Sequence, residues 1–287
     1  MIVQFCDRSS VDDVMAERSK AVGLRPSHSV VVGSNPTDIK RIFYLSEREN
    51  VPFCNLGNMT EPSTYDIRFK HPFTALLVGA SKSGKSTWIR QCLRNANDIF
   101  VSPPAYTLFY YAAWQDVYDQ MRTENLVNEW RNECPQKDYI EEMGAKYKSS
   151  GGLLVIIDDY LSQMNKDMAE LFQVVSHHSK TSLFFLSQNL FHDDKHYRDM
   201  KMNVNYIILF KNPNNSKQAM RFFNQIAPET SKALHKVFQK VTKKPYSYLI
   251  FDLHQETPDE IRIRTNIFPH EGSVGVRDSV TVYAPPI

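Results

Sequence analysis

No stretch of this 287-residue sequence is apolar for long enough to cross a bilayer. The longest hydrophobic runs, Leu153 to Ile157 and Leu183 to Leu186, fall far short of the ~20 residues that a spanning helix needs, so no membrane partner is expected. Cysteine is scarce. Cys6, Cys54, Cys92 and Cys134 lie tens of residues apart without a C-x-x-C, which argues against a disulfide framework or zinc site and for reduced thiols in cytoplasm or nucleus. Asp7 and Arg8 follow Met1-Ile-Val-Gln-Phe-Cys before a signal-peptide apolar region forms, so secretion is not expected. Excess charge is also lacking: 34 basic residues face 32 acidic ones. There is no internal repeat or low-complexity tract, and 42% hydrophobic with 23% charged residues excludes disorder over the whole length.

The chain divides by pattern. Residues 1–40 show neither helical nor strand periodicity and read as an irregular extension. Codons for Gly33-Ser34-Asn35-Pro36 can spell the internal promoter box of a tRNA gene, and those for Val14 to Ala21 the upstream box, so this segment is expected to be a gene-model artefact, with a real disordered arm as the alternative. Residues 41–270 alternate strand and helix, and residues 271–287 read as a loose tail. Strands are expected at Tyr65 to Phe69, Phe73 to Val78, Thr107 to Tyr111, Leu153 to Ile157, Leu183 to Leu186 and Val204 to Phe210. Helices are expected at Ser86 to Asn95 and over Met164 to Val175, and a hairpin from Tyr246 to Asp252 and Ile261 to Ile267. The stretch from Trp114 to Tyr147 does not resolve into elements. The β-α alternation predicts an α/β fold, a mainly parallel sheet flanked by helices.

Glycine is sparse but concentrated where it matters. Gly79-Ala80-Ser81-Lys82-Ser83-Gly84-Lys85-Ser86 fits G-x-x-x-x-G-K-[ST], directly after an apolar strand and directly before a helix. Such a loop wraps phosphate oxygens with backbone N–H groups at a helix N-terminus. Lys85 then reaches the β and γ phosphates, Ser86 ligates Mg²⁺, and Thr87 completes the nucleotide-binding stretch. Asp158 and Asp159 end an apolar strand at the sheet edge where α/β proteins bind ligands, a Walker B arrangement. Asp158 is expected to hold the metal and Asp159 to orient or deprotonate the attacking water; the competing role for Asp159 is a helix N-cap. Gln188, after the strand ending near Ser187, emerges at the same edge. There it contacts the γ phosphate or the water, or merely caps its loop.

Gly79 to Ser86, Leu153 to Asp159 and Leu183 to Asn189 together resemble the FtsK/HerA superfamily of additional-strand P-loop ATPases. Phe73-Thr-Ala-Leu-Leu-Val-Gly, the Asp-Asp ending, Phe-Leu-Ser-Gln-Asn and Asn203 to Lys211 are similar to genome-packaging ATPases of poxviruses, other large DNA viruses and Maverick-type elements. The resemblance covers roughly residues 65–268. It implies an additional-strand P-loop NTPase fold, ATP and Mg²⁺ as cofactors, a homo-oligomeric ring threaded by double-stranded DNA, and a capsid partner. It also implies an arginine supplied by a neighbouring subunit, by position Arg198, with Arg221 second. Asp159 departs from the glutamate commoner in the wider superfamily. A helicase or chromosome-partition motor, and a nucleotide-gated assembly module that turns over too slowly to be a motor, stay open as alternatives.

Charge is unevenly spread. The window from Lys201 to Lys244 carries nine basic residues and one acid, Glu229, so it bears +8 on a chain whose total is +2. Lys232, Lys236, Lys240, Lys243 and Lys244 form either a solvated helix face or a sequence-independent track for DNA phosphates. His177, His178, His192 and His196 read as solvated or helix-end histidines, and Tyr110, Tyr111 and Trp114 as a core or subunit-contact cluster that alternatively stacks bases.

Overall fold

The computed structural model describes residues 2–4, 29–33, 39–43, 64–175, 179–268 and 281–283. Among them, nine strands form one sheet: β1 (Thr74–Val78), β2 (Tyr106–Tyr111), β3 (Glu129–Arg131), β4 (Leu153–Asp158), β5 (Thr181–Ser187), β6 (Tyr206–Phe210), β7 (Tyr248–Asp252), β8 (Ile263–Thr265) and β9 (Thr281–Tyr283). Their spatial order is β9-β8-β7-β6-β1-β5-β4-β2-β3. The six strands from β6 to β3 pair in parallel; β7, β8 and β9 extend the sheet antiparallel.

This topology decides where the motifs meet. β1, which feeds the glycine loop, and β4, which ends on Asp158, are not neighbours. β5 lies between them, with Val78 opposite Ser187 and Asp158 opposite Leu186. The strand between the two Walker strands therefore comes from later in the chain, and β2 lies outside β4. All three parallel strands end on the same edge, which brings Gly79, Asp158 and Gln188 together.

The central strands are buried on both faces because helices cover both, as their unbroken apolar runs require. Alternate residues face opposite ways. Leu76, Val155, Leu183 and Phe185 pack into the core under α4 (Lys137–Tyr147), α6 (Lys195–Lys201), α7 (Ser216–Ile226) and α8 (Ser231–Val241). Leu77, Ile156, Phe184 and Leu186 pack on the other face under α1 (Lys85–Arg94), α2 (Ala96–Ile99) and α3 (Asp116–Thr123). α1 buries Trp88, Ile89 and Cys92 at helical spacing. Each such large side chain contributes roughly 1.5–3 kcal/mol on leaving water.

Several expectations are corrected. The helix over Met164 to Val175 starts later and changes type: it runs as α5 (Lys166–Glu170) continued by a π turn (Leu171–Val175), after a separate 3₁₀ turn (Leu161–Gln163). The restart comes from Asn165, whose side chain accepts from the Met168 N–H at 2.9 Å and so begins a new helix. The strand over Tyr65 to Phe69 shortens to Thr64–Asp66 plus a single bridge between Phe69 and Phe100. The unreadable stretch after Trp114 contains α3, β3 and α4. The first forty residues are not wholly irregular. Ile2–Gln4 pairs with Thr64–Asp66, and Ser29–Gly33, with its β-branched Val30-Val31-Val32, pairs with Ile39–Phe43. The tail likewise contributes β9, built on Thr281-Val282-Tyr283. The rest of both segments, and His177 and His178, lie outside the described residues.

Candidate active site

The glycine loop is shaped before any ligand arrives. A Cβ on Gly79 would lie 2.5 Å from Ser83 Oγ and 2.6 Å from Phe210 Cβ, so only glycine fits where the loop folds against β6. Lys82 and Gly84 take left-handed conformations, φ +62° and +102°, which turn successive backbone N–H groups inward as an anion nest. α1 starts at Lys85 with no side-chain cap and no acidic residue in its first turn, leaving its first N–H groups for a ligand. Ser83 Oγ is buried with no partner among the described residues, a further group that a phosphate oxygen would satisfy. Ser81, Lys82 and Thr87 are exposed at the rim, and Ala80 is half-buried.

Lys85 is buried and donates to the carbonyls of Gly79 at 2.8 Å and Ala80 at 3.0 Å, so its ammonium already lies inside the loop. Burial lowers its pKa, and the charges of Asp158 and Asp159 oppose that shift. Ser86 Oγ donates to Asp158 Oδ2 at 3.0 Å, which joins the two Walker elements directly. These oxygens, with Gln115 Oε1 at 3.2 Å from Ser86 Oγ, suit a small hard cation that takes one or two protein oxygens plus phosphate and water. The residues present thus fit Mg²⁺.

Asp158 is buried on an apolar strand, and burial raises its pKa against hydrogen bonds from Tyr118 and Ser86 and the charge of Lys85. Tyr118 Oη donates to Oδ2 at 2.6 Å and Gln115 Nε2 approaches the same oxygen at 3.4 Å, so every donor converges on one carboxylate oxygen. Among the described residues no acid or histidine completes a metal-binding cluster with it. Neither Gln115 nor Tyr118 was expected from the sequence. Tyr118 shares a buried helical stripe with Met121, but nothing local in that pattern points to an aspartate forty positions on.

Asp159 takes φ +67° and is exposed just past the end of β4. It caps neither following helix: Tyr160 precedes the 3₁₀ turn and Asn165 caps α5. Its carboxylate makes no hydrogen bond among the described residues. Gln188 is exposed immediately after β5, between the ends of β1 and β4. Its loop is fixed from α7: Gln218 Oε1 accepts from the Leu190 N–H at 2.7 Å and Gln218 Nε2 donates to Asn189 Oδ1 at 3.3 Å. Gln218 is a third contributor that the sequence pattern does not reveal.

The remaining candidates are distributed around the edge. Arg198 is exposed on α6. Arg221 on α7 is engaged within the chain, its guanidinium 4.3 Å from the Phe191 ring that Lys201 also covers at 3.6 Å. Lys232, Lys236 and Lys240 line the exposed side of α8, with Lys243 and Lys244 just beyond it. Tyr110 is core; Trp114 is half-exposed and packs edge-on to Tyr111 and Tyr118.

Several solved structures are similar to this chain. The genome packaging NTPase B204 from Sulfolobus turreted icosahedral virus 2, solved with ATP-gammaS, is 17% identical with a TM-score of 0.43, covering 68% of this chain and 96% of its own. The cytoplasmic domain of the Thermomonospora curvata Type VII secretion ATPase EccC is 16% identical with a TM-score of 0.44, covering 91% of this chain and 31% of its own. The N-terminal domain of zonular occludens toxin from Neisseria meningitidis is 12% identical with a TM-score of 0.33, covering 66% and 87%. No curated protein matches the chain. The family model described as Poxvirus A32 protein matches residues 63–257, the span that carries both Walker elements and Gln188. The chain therefore belongs to the Poxvirus A32 protein family, the viral packaging-ATPase group its motifs resemble, and its site is that of a P-loop ATPase.

Proposed function

We propose that this protein couples ATP hydrolysis to the movement of double-stranded DNA, packaging a viral or transposon genome into a capsid as a homo-oligomeric ring. The observation that carries the reading is the joining of Ser86 to Asp158 at 3.0 Å beside an exposed, unpartnered Asp159 and an exposed Gln188 on one sheet edge. The nest from Gly79 to Ser86 binds the phosphates, and Lys85 leaves its two carbonyls to neutralise β and γ oxygens. Ser86 and Asp158 would hold Mg²⁺, which when bound supplies further charge neutralisation. Asp159 accepts the proton of a water that Gln188 helps to hold in line. Arg198, exposed and without a partner in its own chain among the described residues, is the better donor to a neighbouring subunit, because Arg221 is already stacked on Phe191. The lysines on and after α8 supply the DNA track, whose contacts weaken steeply with salt.

The test is steady-state ATPase activity of the full chain, with and without duplex DNA at low and raised salt, using Lys85→Ala as the blank. Duplex DNA is expected to stimulate turnover in a salt-sensitive way, and Asp159→Asn to abolish turnover while ATP still binds. Turnover at the blank level with ATP bound would instead mark a nucleotide-gated assembly module. Strand separation in place of duplex movement would mark a helicase.

A further inference from the structure

Lys85, Ser86 and Asp158 account for one end of a nucleotide, whereas the opposite flank of the same loop carries a side chain for which that chemistry has no use. Tyr246 lies in the link between α8 and β7, is 72% exposed, and holds φ +64°. A bulky residue rarely takes that left-handed conformation, and it persists only where the surroundings impose it. Its ring lies against Gly84, the last glycine of the nest: a Cβ built there would stand 3.2 Å from Tyr246 Cδ1 and 3.3 Å from Tyr246 Cβ.

The sheet explains the placement. Tyr248, two residues on, pairs with Phe210 at the carboxyl end of β6. β6 borders β1 on the side away from β5 and β4. Asp158 therefore stands on one flank of the phosphate loop and Tyr246 on the other. A nucleoside triphosphate carries its terminal phosphate and its base at opposite ends. With the γ end drawn toward Ser86 and Asp158, the base leaves on the β6–β7 side, where a strained backbone holds an aromatic ring in solvent. An exposed ring contributes little to the free protein, but a base laid on it removes both surfaces from water.

On the premise that the loop binds nucleotide, we propose that Tyr246 is the platform on which the nucleobase stacks. Stacking reads the π surface and not the hydrogen-bonding edges of the base. The platform therefore accepts adenine and guanine alike and holds the smaller pyrimidines less well.

The proposal is tested with the full chain by measuring equilibrium binding of ATP, GTP, CTP and inorganic tripolyphosphate to wild type, Tyr246→Gly, Tyr246→Trp and Lys85→Ala. Tyr246→Gly is expected to weaken ATP and GTP about ten-fold, an effect within the range of base–aromatic stacking, and to leave tripolyphosphate unchanged. It should also level the preference for purine over CTP, while Tyr246→Trp keeps purine affinity. Glycine adopts φ +64° freely, so the thermal midpoint without nucleotide should hold or rise, which separates lost stacking from lost fold. ATP binding by Tyr246→Gly at wild-type strength, or a loss of ATP and tripolyphosphate in equal ratio, would overturn the platform. A wild type that binds neither ligand, or Lys85→Ala binding both as well as wild type, would instead overturn the phosphate-loop reading, and the platform with it.

Discussion

Two aspartates, Asp158 and Asp252, each end a strand of the same sheet and are almost equally buried, at 4% and 2% exposure. They lie on opposite edges, because β4 runs with the parallel strands whereas β7 runs against β6, setting Asp252 opposite Tyr206 at its start. Their surroundings differ. Asp252 accepts from Arg264 Nη2 at 2.6 Å on one oxygen and from His254 Nδ1 at 2.7 Å on the other, and Arg264 Nη1 goes on to the Ile67 carbonyl at 2.6 Å. Burial alone would raise its pKa, but the His254 hydrogen bond and the Arg264 charge hold it low. Asp158 has hydroxyl donors on Oδ2 and no ion pair among the described residues, and burial keeps its pKa high. The paired carboxylate stitches β7 to β8 and to Ile67. The unpaired one is a buried charge left short of a cation, the condition of a group that a metal and nucleotide complete.

The largest effect should come from neutralising Asp158. Asp158→Asn keeps the Tyr118 and Ser86 contacts but removes the charge that would hold the metal, so turnover should fall by about 10²–10³-fold. Because the charge costs free energy in the protein without ligand, the same change should raise its thermal midpoint, by about 2–4 °C for each ~1 kcal/mol relieved. ATPase assays beside thermal unfolding read both. A lowered midpoint would show that Asp158 is as structural as Asp252, and the contrast would be lost.

Asp252→Asn should do the reverse, leaving the Walker residues intact while stranding Arg264, which is 2% exposed. Breaking one partner of a buried pair costs about 3–5 kcal/mol, whereas replacing both with apolar residues is often neutral. Asp252→Leu combined with Arg264→Met should therefore recover much of the loss in urea unfolding. Acid sharpens the comparison. The folded pKa of Asp252 is depressed, so its stabilisation is present above the unfolded value near ~3.9 and is lost as pH falls through the folded value. The folded pKa of Asp158 is raised, so its destabilisation is present at neutral pH and is relieved as pH falls through that raised value. Wild type should thus exceed Asp252→Asn at neutral pH and lose that margin only below about pH 4. It should trail Asp158→Asn at neutral pH and catch up at a higher pH.

The same contrast explains what the sequence discloses. The place of Asp158 is legible because it is written in contiguous residues: an apolar strand, a carboxylate at its end, and a glycine loop after another strand. The double-faced burial of β1, β4, β5 and β6 follows from apolar runs, and the β7–β8 hairpin from an apolar stretch and an alternating one on either side of Pro258-Asp259. Gln115 and Tyr118 are not legible, since a polar stretch with one short helical stripe gives no sign of which distant carboxylate it meets. The Asp252–Arg264 pair is hidden for the same reason: its partners come from two strands and a loop that only the antiparallel register brings together. Tyr246 is hidden in another way, because the left-handed backbone that presents it is imposed by its neighbours and not by its residue type.

The smallest effect expected is also the most selective. Tyr118→Phe removes the 2.6 Å donor to Asp158 and leaves Ser86 on the same oxygen, so stability should fall by only about 1 kcal/mol. The carboxylate, already raised by burial, then becomes harder to ionise. The acid limb of the kcat/KM profile for ATP, which reports the free enzyme's ionisations, should therefore move to higher pH. His254→Ala is the matched change at the other edge: it removes the side-chain donor to Asp252 Oδ1, leaving the His254 backbone N–H on that oxygen, at a similar structural cost, yet has no path to the pH profile. If both variants shift the profile equally, the edges are coupled through the sheet. A shift by Tyr118→Phe alone means that one hydroxyl on α3 sets the ionisation of the carboxylate that would hold the metal, and that α3 belongs to the site and not only to the core.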